Sequence, residues 1–200
     1  MIRPTVQFFA VAFVMTACAS PQAQIETASA IKSLDDPFRP YREYSTGNIQ
    51  GGSPLGPGIG IGINEKQLAA RVDRKTGTVA TFLEFEVAYT GALRRSYERA
   101  TNVQAEMLPV TALAHHTSDC NRQTGTCSHF ELLHIAIPES GLRTAGAEGF
   151  PIKIFARAGP DIEVAVSKEL IVALLAKVDA DRMALSAAPA SSTAVNAALR

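Results

Sequence analysis

The segment TVATFLEFEVAYTG, at positions 78–91, constrains the fold most, because one side of the extended chain is apolar along most of its length. Glu84 and Glu86 fall on one side of an extended chain. The other side carries Val79, Thr81, Leu83, Phe85, Val87 and Tyr89. This alternation predicts a β-strand with one buried face. The preceding segment QLAARVD and the turn RKTG make it one arm of a predicted hairpin.

Two more hairpins are predicted further along the chain. AEMLPVTALAHHTSDC and CSHFELLHIAIPE form one, and FPIKIFARAGPDIEVAV, turning at 158–161, forms the other. The alternation GIGIGI at 58–63 favours a closely packed first strand, since it lacks the spacing of a phosphate-binding loop. Six or seven strands predict a mainly β domain, an antiparallel two-sheet sandwich of immunoglobulin-like size. A partly open barrel is the alternative.

A helix and a tail are predicted after the last strand. Ser167 is placed to cap a helix over KELIVALLAKVD. Its apolar stripe consists of Leu170, Ile171, Leu174, Leu175 and Val178. The folded domain is therefore expected over residues 58–180. Residues 181–200 are rich in alanine and serine and are predicted to be a disordered tail.

The first 17 residues have the pattern of a secretory signal peptide. Arg3 is followed by an apolar run from Val6 to Met15 and then by small residues. The run is about ten residues long, whereas a membrane-spanning helix needs about 20. We therefore predict export from the cytoplasm.

The apolar run ends in Met15-Thr16-Ala17-Cys18. This sequence resembles the lipobox of bacterial lipoproteins, in which a small residue precedes the cysteine that becomes the acylated N-terminus. Thr16 and Ala17 match that pattern, whereas leucine is usual where Met15 stands. The resemblance covers only the leader, and it implies that Cys18 carries a covalent lipid such as palmitate. The alternative is that Ala17-Cys18-Ala19 serves as an A-x-A site, so that cleavage before Ser20 removes Cys18.

Lipidation would hold the protein at a membrane of the cell envelope. In the lipoprotein family an aspartate directly after the cysteine often retains the protein at the inner membrane, and Ala19 does not match that signal. The resemblance therefore implies the periplasmic side of the outer membrane, and loss of Cys18 would leave a soluble periplasmic protein. Residues 18–57 are predicted to be a flexible tether. Within it, FRPYREY at 38–44 is expected to lie against its own domain, or else to contact a partner or lipid headgroups.

The remaining two cysteines are predicted to form a disulfide. Cys120 and Cys127 are close neighbours in CNRQTGTC, and export favours their oxidation. The loop-entropy expression gives this bond roughly 2.5 kcal/mol for a ring of about eight residues.

The same region contains all four histidines and suggests a metal site. If Cys120 lies opposite Cys127, His116 faces Glu131 and lies diagonal to His129, so these three form a candidate metal site on the surface. His115 and His134 then occupy the opposite face, although a bulge would change this grouping. The interpretation we favour is a structural disulfide surrounded by surface histidines.

Other signals of function are mostly absent from the sequence. Nineteen basic and nineteen acidic residues balance, so nucleic acid is not an expected partner. Arg94, Arg95 and Arg99 form a candidate anion contact. The chain lacks the G-x-S-x-G and H-E-x-x-H motifs of common hydrolases.

The sequence thus favours a non-catalytic binding or structural module of the envelope. It would contact the membrane through its lipid anchor and bind another envelope protein, with no cofactor besides the covalent lipid. One alternative is a periplasmic metal-binding protein. The other is an enzyme whose site is built from loops.

Overall fold

The computed structural model describes residues 31–50, 61–145 and 148–187, apart from the side chains of residues 49 and 50. Ten strands and two helices lie in these ranges. The strands are β1 Lys32–Leu34, β2 Tyr41–Ser45, β3 Ile49–Gln50, β4 Ile61–Asp73, β5 Val79–Gly91, β6 Tyr97–Asn102, β7 Met107–Asn121, β8 Thr126–Ile137, β9 Phe150–Ala156 and β10 Ile162–Val166. The helices are α1 Glu139–Ala145 and α2 Lys168–Ala187.

All described strands belong to one connected antiparallel sheet. Its order is β1-β2-β4-β5-β8-β7-β6-β9-β10, and β3 also pairs with β4. The predicted mainly β fold with a C-terminal helix is therefore confirmed. The division into two separate sheets is not confirmed, because β7 joins both halves. Residues 107–109 of this long strand pair with β6, and residues from Val110 onward pair with β8.

The sheet curls over a single core. Lys66 of β4 donates a hydrogen bond of 3.0 Å to the carbonyl oxygen of Ala165 in β10, although these strands are far apart in the sheet order. Leu83 of β5, Ile154 of β9 and Leu174 of α2 all lie in the same buried cluster. The burial of this cluster is the main favourable contribution to folding.

The three predicted hairpins are present, because each turn has suitable residues. In the β4–β5 turn, the Asp73 carboxylate accepts hydrogen bonds from the backbone N–H groups of Lys75 and Thr76 at 2.9 and 2.7 Å. Gly77 then adopts a positive φ of 67°, which glycine tolerates without strain. Gly125 has the same value in the β7–β8 turn.

Helix α2 agrees with its predicted stripe and extends beyond its predicted end. All five residues of the stripe are buried, and the helix packs against β2 and β4. The helix continues past residue 180 because Asp181 is also buried and forms an ion pair with Arg42 of β2. The disordered-tail prediction is therefore wrong for residues 181–187. The Ser167 hydroxyl finds no hydrogen-bond partner within the described residues, so the predicted side-chain cap is not formed there.

The flexible-tether prediction is wrong for residues 31–50. This segment contains β1, β2 and β3, and β2 pairs with β4 along its length. Tyr44 is buried, as expected for an arm against its own domain, whereas Phe38 is 95% exposed. Each strand here is too short for its alternation to be recognised in the sequence.

The predicted leader and several flanking segments lie outside the described residues. They include the signal peptide at 1–17, the lipidation site Cys18, the start of the tether and the chain beyond residue 187. No helix within the described ranges is long and apolar enough to cross a membrane.

Candidate functional site in the β7–β8 hairpin

Strand β8 places two polar side chains on the core side of the sheet. It lies between β5 and β7, and its alternate residues from position 129 to 137 are buried. His129 and Glu131 are two of them, with 5% and 0% exposure. A buried carboxylate is costly unless it is hydrogen-bonded or paired with a positive charge, so its contacts define this site.

Three donors surround the Glu131 carboxylate. The Tyr89 hydroxyl of β5 donates to Oε1 at 2.5 Å, and the backbone N–H of Ser96 donates to the same oxygen at 3.2 Å. The Arg94 guanidinium lies 3.4 Å from Oε2 and forms an ion pair. We call Glu131, Tyr89, Arg94 and the Ser96 N–H the Glu131 cluster.

The Glu131 cluster holds the crossover segment, residues 92–96, which connects β5 to β6. The Arg95 N–H donates to the Tyr89 hydroxyl at 2.8 Å. Ser96 adopts a positive φ of 53°, which is uncommon for a residue other than glycine. The hydrogen bond from its N–H to Glu131 offsets part of the cost of that conformation. The carboxylate therefore fixes the path of the chain between the two halves of the sheet.

Tyr89 is held in its neutral form. Burial raises the pKa of its phenol well above the usual value, and the acceptor Glu131 raises the pKa further. The Arg95 guanidinium stacks over the Tyr89 ring at 4.4 Å from its centroid. This tyrosine therefore acts as a hydrogen-bond donor and a packing surface at neutral pH.

A chain of hydrogen bonds leads from buried His129 to the surface. His129 Nε2 lies 3.2 Å from the carbonyl oxygen of Gly91, which can only accept, so Nε2 carries the proton. In neutral His129, Nδ1 then accepts a hydrogen bond from the Thr117 hydroxyl at 3.2 Å. The same hydroxyl oxygen lies 3.2 Å from Nε2 of exposed His115 and accepts from it. We call His115, Thr117 and His129 the histidine chain.

The surroundings of His115 favour its uncharged form. The His115 and His129 rings are stacked with centroids 5.8 Å apart, and His129 also stacks on Tyr89 at 5.0 Å. Desolvation lowers the pKa of His115, and the nearby positive charge of Arg94 lowers it further. His115 is therefore uncharged in the folded protein at neutral pH.

The three residues of the predicted metal site do not converge. His129 and Glu131 share the core side, but His116 lies on the opposite face, where its ring is 6.1 Å from that of Phe130. The residue opposite Glu131 is His115, not His116. Among the described residues, no three His, Cys, Asp or Glu side chains are grouped as metal ligands.

A bulge next to the disulfide explains this difference in register. The predicted Cys120–Cys127 disulfide is present in the structure. The β7–β8 pairing shifts between Ser118 and Asn121, where Asp119 has a positive φ of 48°. Relative to the predicted pairing, the shift moves the residues of β7 before the bulge by one position along β8. His115 therefore lies on the face predicted for His116, and His116 on the face predicted for His115.

The three candidate anion-binding arginines do not form one site. Arg94 pairs with Glu131 and Arg95 stacks on Tyr89, so both are engaged within the protein. Arg99 lies on β6, over the ring of Phe155 in β9. Sequence reasoning missed Tyr89 and Thr117 as members of the site. The alternation in β5 places Tyr89 on the core side, and this signal fits a packing role equally well.

One cleft of the described structure lies away from these polar groups. It has a volume of about 820 Å³ and is lined by the β6–β7 turn, α1 and the start of β9. No residue of the Glu131 cluster or of the histidine chain lines this cleft. This cleft is therefore separate from the Glu131 cluster and the histidine chain.

The outer edge of β7 is the accessible part of the hairpin. Residues 110–118 pair with β8 on one side, and no described strand pairs with them on the other. Their side chains are exposed or only partly buried, and Leu113 is 50% exposed at a bulge. We call residues 110–118 the free edge. Unpaired N–H and C=O groups on such an edge can bind another extended strand.

Comparison with known proteins does not assign the chain to a family. No family model matches it, and neither curated proteins nor solved structures include a match.

Proposed function

We propose that the protein is an exported lipoprotein of the bacterial cell envelope and acts as a non-catalytic binding module. Its leader supports export, and Cys18 supports lipid attachment on the periplasmic side of the outer membrane. The β7–β8 hairpin is the binding element, and the bound molecule is a protein of the same compartment.

The free edge of β7 is the observation that carries the binding role. It offers backbone donors and acceptors to a partner strand, and a side-chain surface with Leu113 half-exposed. The Glu131 cluster keeps the supporting strand β8 in place from the core side. A rigid strand loses little conformational entropy when it binds, which favours association.

The anchor is tested by the intact mass of the mature protein from cells. We expect a chain that begins at Cys18 and carries the additional mass of acyl groups. The variant Cys18→Ser should lose that mass and leave the membrane fraction. A wild-type chain that begins at Ser20 without acyl mass would contradict the anchor.

Binding through the hairpin is tested by crosslinking in cells. A photoreactive amino acid replaces Leu113 on the free edge or, as a matched control, Val172 on α2, which is 56% exposed. We expect a crosslinked envelope protein, identified by mass spectrometry, from position 113 and none from position 172. Equal yields of crosslinked protein from both positions, or none from position 113, would refute the hairpin as the binding element.

A further inference from the structure

The cleft between the β6–β7 turn and α1 has one wall that is fixed by a buried asparagine. Asn102 Oδ1 accepts hydrogen bonds from the backbone N–H groups of Gln104 and Glu106, at 3.0 Å each. Asn102 Nδ2 donates to the Glu106 carboxylate at 2.7 Å. Ala105, between these residues, has a positive φ of 60°, a strained conformation that the surrounding hydrogen bonds maintain. The turn therefore presents the Glu106 side chain from a preorganised backbone.

The opposite wall consists of α1 and the turn that follows it. The backbone N–H groups of Glu148 and Gly149 both donate to the carbonyl oxygen of Ala145, at 3.0 and 2.9 Å. Gly149 has a positive φ of 93°, and a Cβ atom there would lie 2.9 Å from the carbonyl oxygen of Val166. Glycine is therefore required at this position. These contacts fix the backbone that carries Glu148, which lines the cleft.

Much of the surface between the two walls is apolar. Val103 and Met107 line the cleft and are 68% and 61% exposed, so large apolar side chains meet water here. Leu108 and Phe150 also line it, and both belong to the buried core. The volume of about 820 Å³ lies within the range of about 300–1,000 Å³ that is usual for small-molecule sites. A ligand with an apolar body would remove this surface from water.

The charged groups of the cleft are all negative. Glu106 and Glu148 line it, and no Lys, Arg or His is among its described lining residues. Within the described ranges, neither carboxylate forms an ion pair, whereas Glu131 and Glu139 each pair with an arginine. Two carboxylates without a cationic partner attract a positively charged ligand and disfavour an anionic one.

We propose that this cleft binds a small organic cation, in which an ammonium group is attached to an apolar body. The apolar lining would cover the body of the ligand, and Glu106 and Glu148 would supply the negative charge that the ammonium group needs. The free edge, residues 110–118, does not line the cleft. The inference therefore goes beyond the proposed function and does not depend on it.

The test uses the full chain with Cys18→Ser and follows its amide signals by NMR while one of three probes is added. The probes are phenethylammonium, phenethyl alcohol and hydrocinnamate, which share an aromatic body and differ in charge. With the ammonium we expect saturable shifts in residues 102–108 and 138–145, with a dissociation constant of about 1 mM or lower. The alcohol should bind at least about fivefold more weakly and the carboxylate more weakly still, because only the ammonium complements the charge of the cleft.

Variants separate the charged contribution from the apolar one. Glu106→Gln combined with Glu148→Gln should weaken ammonium binding at least about fivefold and leave binding of the alcohol unchanged. Glu163→Gln, on β10 and outside the cleft, is the matched control and should leave ammonium binding unchanged. Met107→Ser should weaken binding of the ammonium and the alcohol by a similar factor, because it removes apolar surface only.

Several results would overturn the cation site. They are equal affinities for the ammonium and the alcohol, no saturable shifts with about 10 mM ammonium, and ammonium binding that the folded double variant does not weaken. A capped tripeptide with a central lysine is titrated in the same way. If it binds more tightly than the free amine, the small-molecule ligand is refuted in favour of a lysine-bearing protein segment. The crosslink at position 113 and the acyl mass are measured independently, so the proposed function would stand in each of these cases.

Discussion

Strands β7 and β8 form one hairpin but differ in how deeply their side chains are buried and in how many neighbouring strands they have. On β8, alternate residues are buried, and Leu133 and Ile135 are fully inaccessible. On β7, Leu108 is the only buried residue, and both faces of the strand beyond it are largely exposed. The difference arises from position, because β8 has a strand on each side whereas most of β7 has one. The comparison suggests that β8 supplies stability and that β7 is available for association.

Truncating a leucine on each strand gives the largest expected contrast. Leu133→Ala removes a fully buried side chain and should lower the free energy of unfolding by about 2–5 kcal/mol, because a cavity replaces the lost contacts. Leu113→Ala removes a half-exposed side chain and should change it by less than about 1 kcal/mol. Urea unfolding, monitored by circular dichroism, measures both.

Similar decreases in unfolding free energy for Leu133→Ala and Leu113→Ala would show that the two strands contribute equally to stability. The unfolding measurements are made on the Cys18→Ser background, so that lipid attachment does not add to the stability of either variant. The slope of unfolding free energy against urea should stay the same in both variants.

Burial on one face also determines which strands could be predicted from the sequence. Strands β5 and β8 have one buried face, and alternation of side-chain character identifies them. The short strands in residues 31–50 depend on pairing with β4, a tertiary contact that local pattern does not reveal. The connection of all strands into one sheet depends on β7 pairing on both sides near its start, which hairpin patterns do not predict.

For the candidate site, the sequence predicted the β7–β8 hairpin correctly but placed His116, in place of His115, beside Glu131. The disulfide fixed the hairpin, and Glu131 and His129 followed from its geometry. The grouping of His116 with them required a regular ladder, and the bulge at Asp119 removes that regularity. A bulge depends on local backbone conformation, and a non-glycine residue such as Asp119 gives only a weak signal for it.

The second prediction tests how much the Glu131 cluster stabilises β8. Glu131→Gln keeps the shape of the side chain but removes the charge that pairs with Arg94, and it places amide donors among existing donors. We expect the free energy of unfolding to fall by about 1–3 kcal/mol in urea titrations. Glu163→Gln, at an exposed position on β10, is the matched control and should change it by less than about 0.5 kcal/mol. A Glu131→Gln variant as stable as this control would show that the cluster is not needed for stability.

The smallest expected effect concerns pH and the contact between the two strands at His115. Partial desolvation and the charge of Arg94 lower the pKa of this histidine in the folded protein, His129 and His116 lower it further, and Glu131 acts in the opposite direction. The unfolded chain, with a usual histidine pKa of about 6.5, therefore binds a proton first as the pH falls. The contribution of His115 to stability is thus complete above about pH 6.5 and is lost as the pH falls through its folded pKa.

The measurement compares urea midpoints at about pH 7.5 and about pH 5.5 for the wild type and two variants. His115→Gln should reduce the loss of stability on acidification by a small amount, because His115 is exposed and solvent screens its charge. His116→Gln, on the opposite face of β7, should lose nearly as much stability on acidification as the wild type does. If His115→Gln and the wild type lose stability equally, the histidine chain does not couple β7 to the buried end of β8. The two strands would then be linked through their backbone ladder and disulfide without a contribution from the imidazoles.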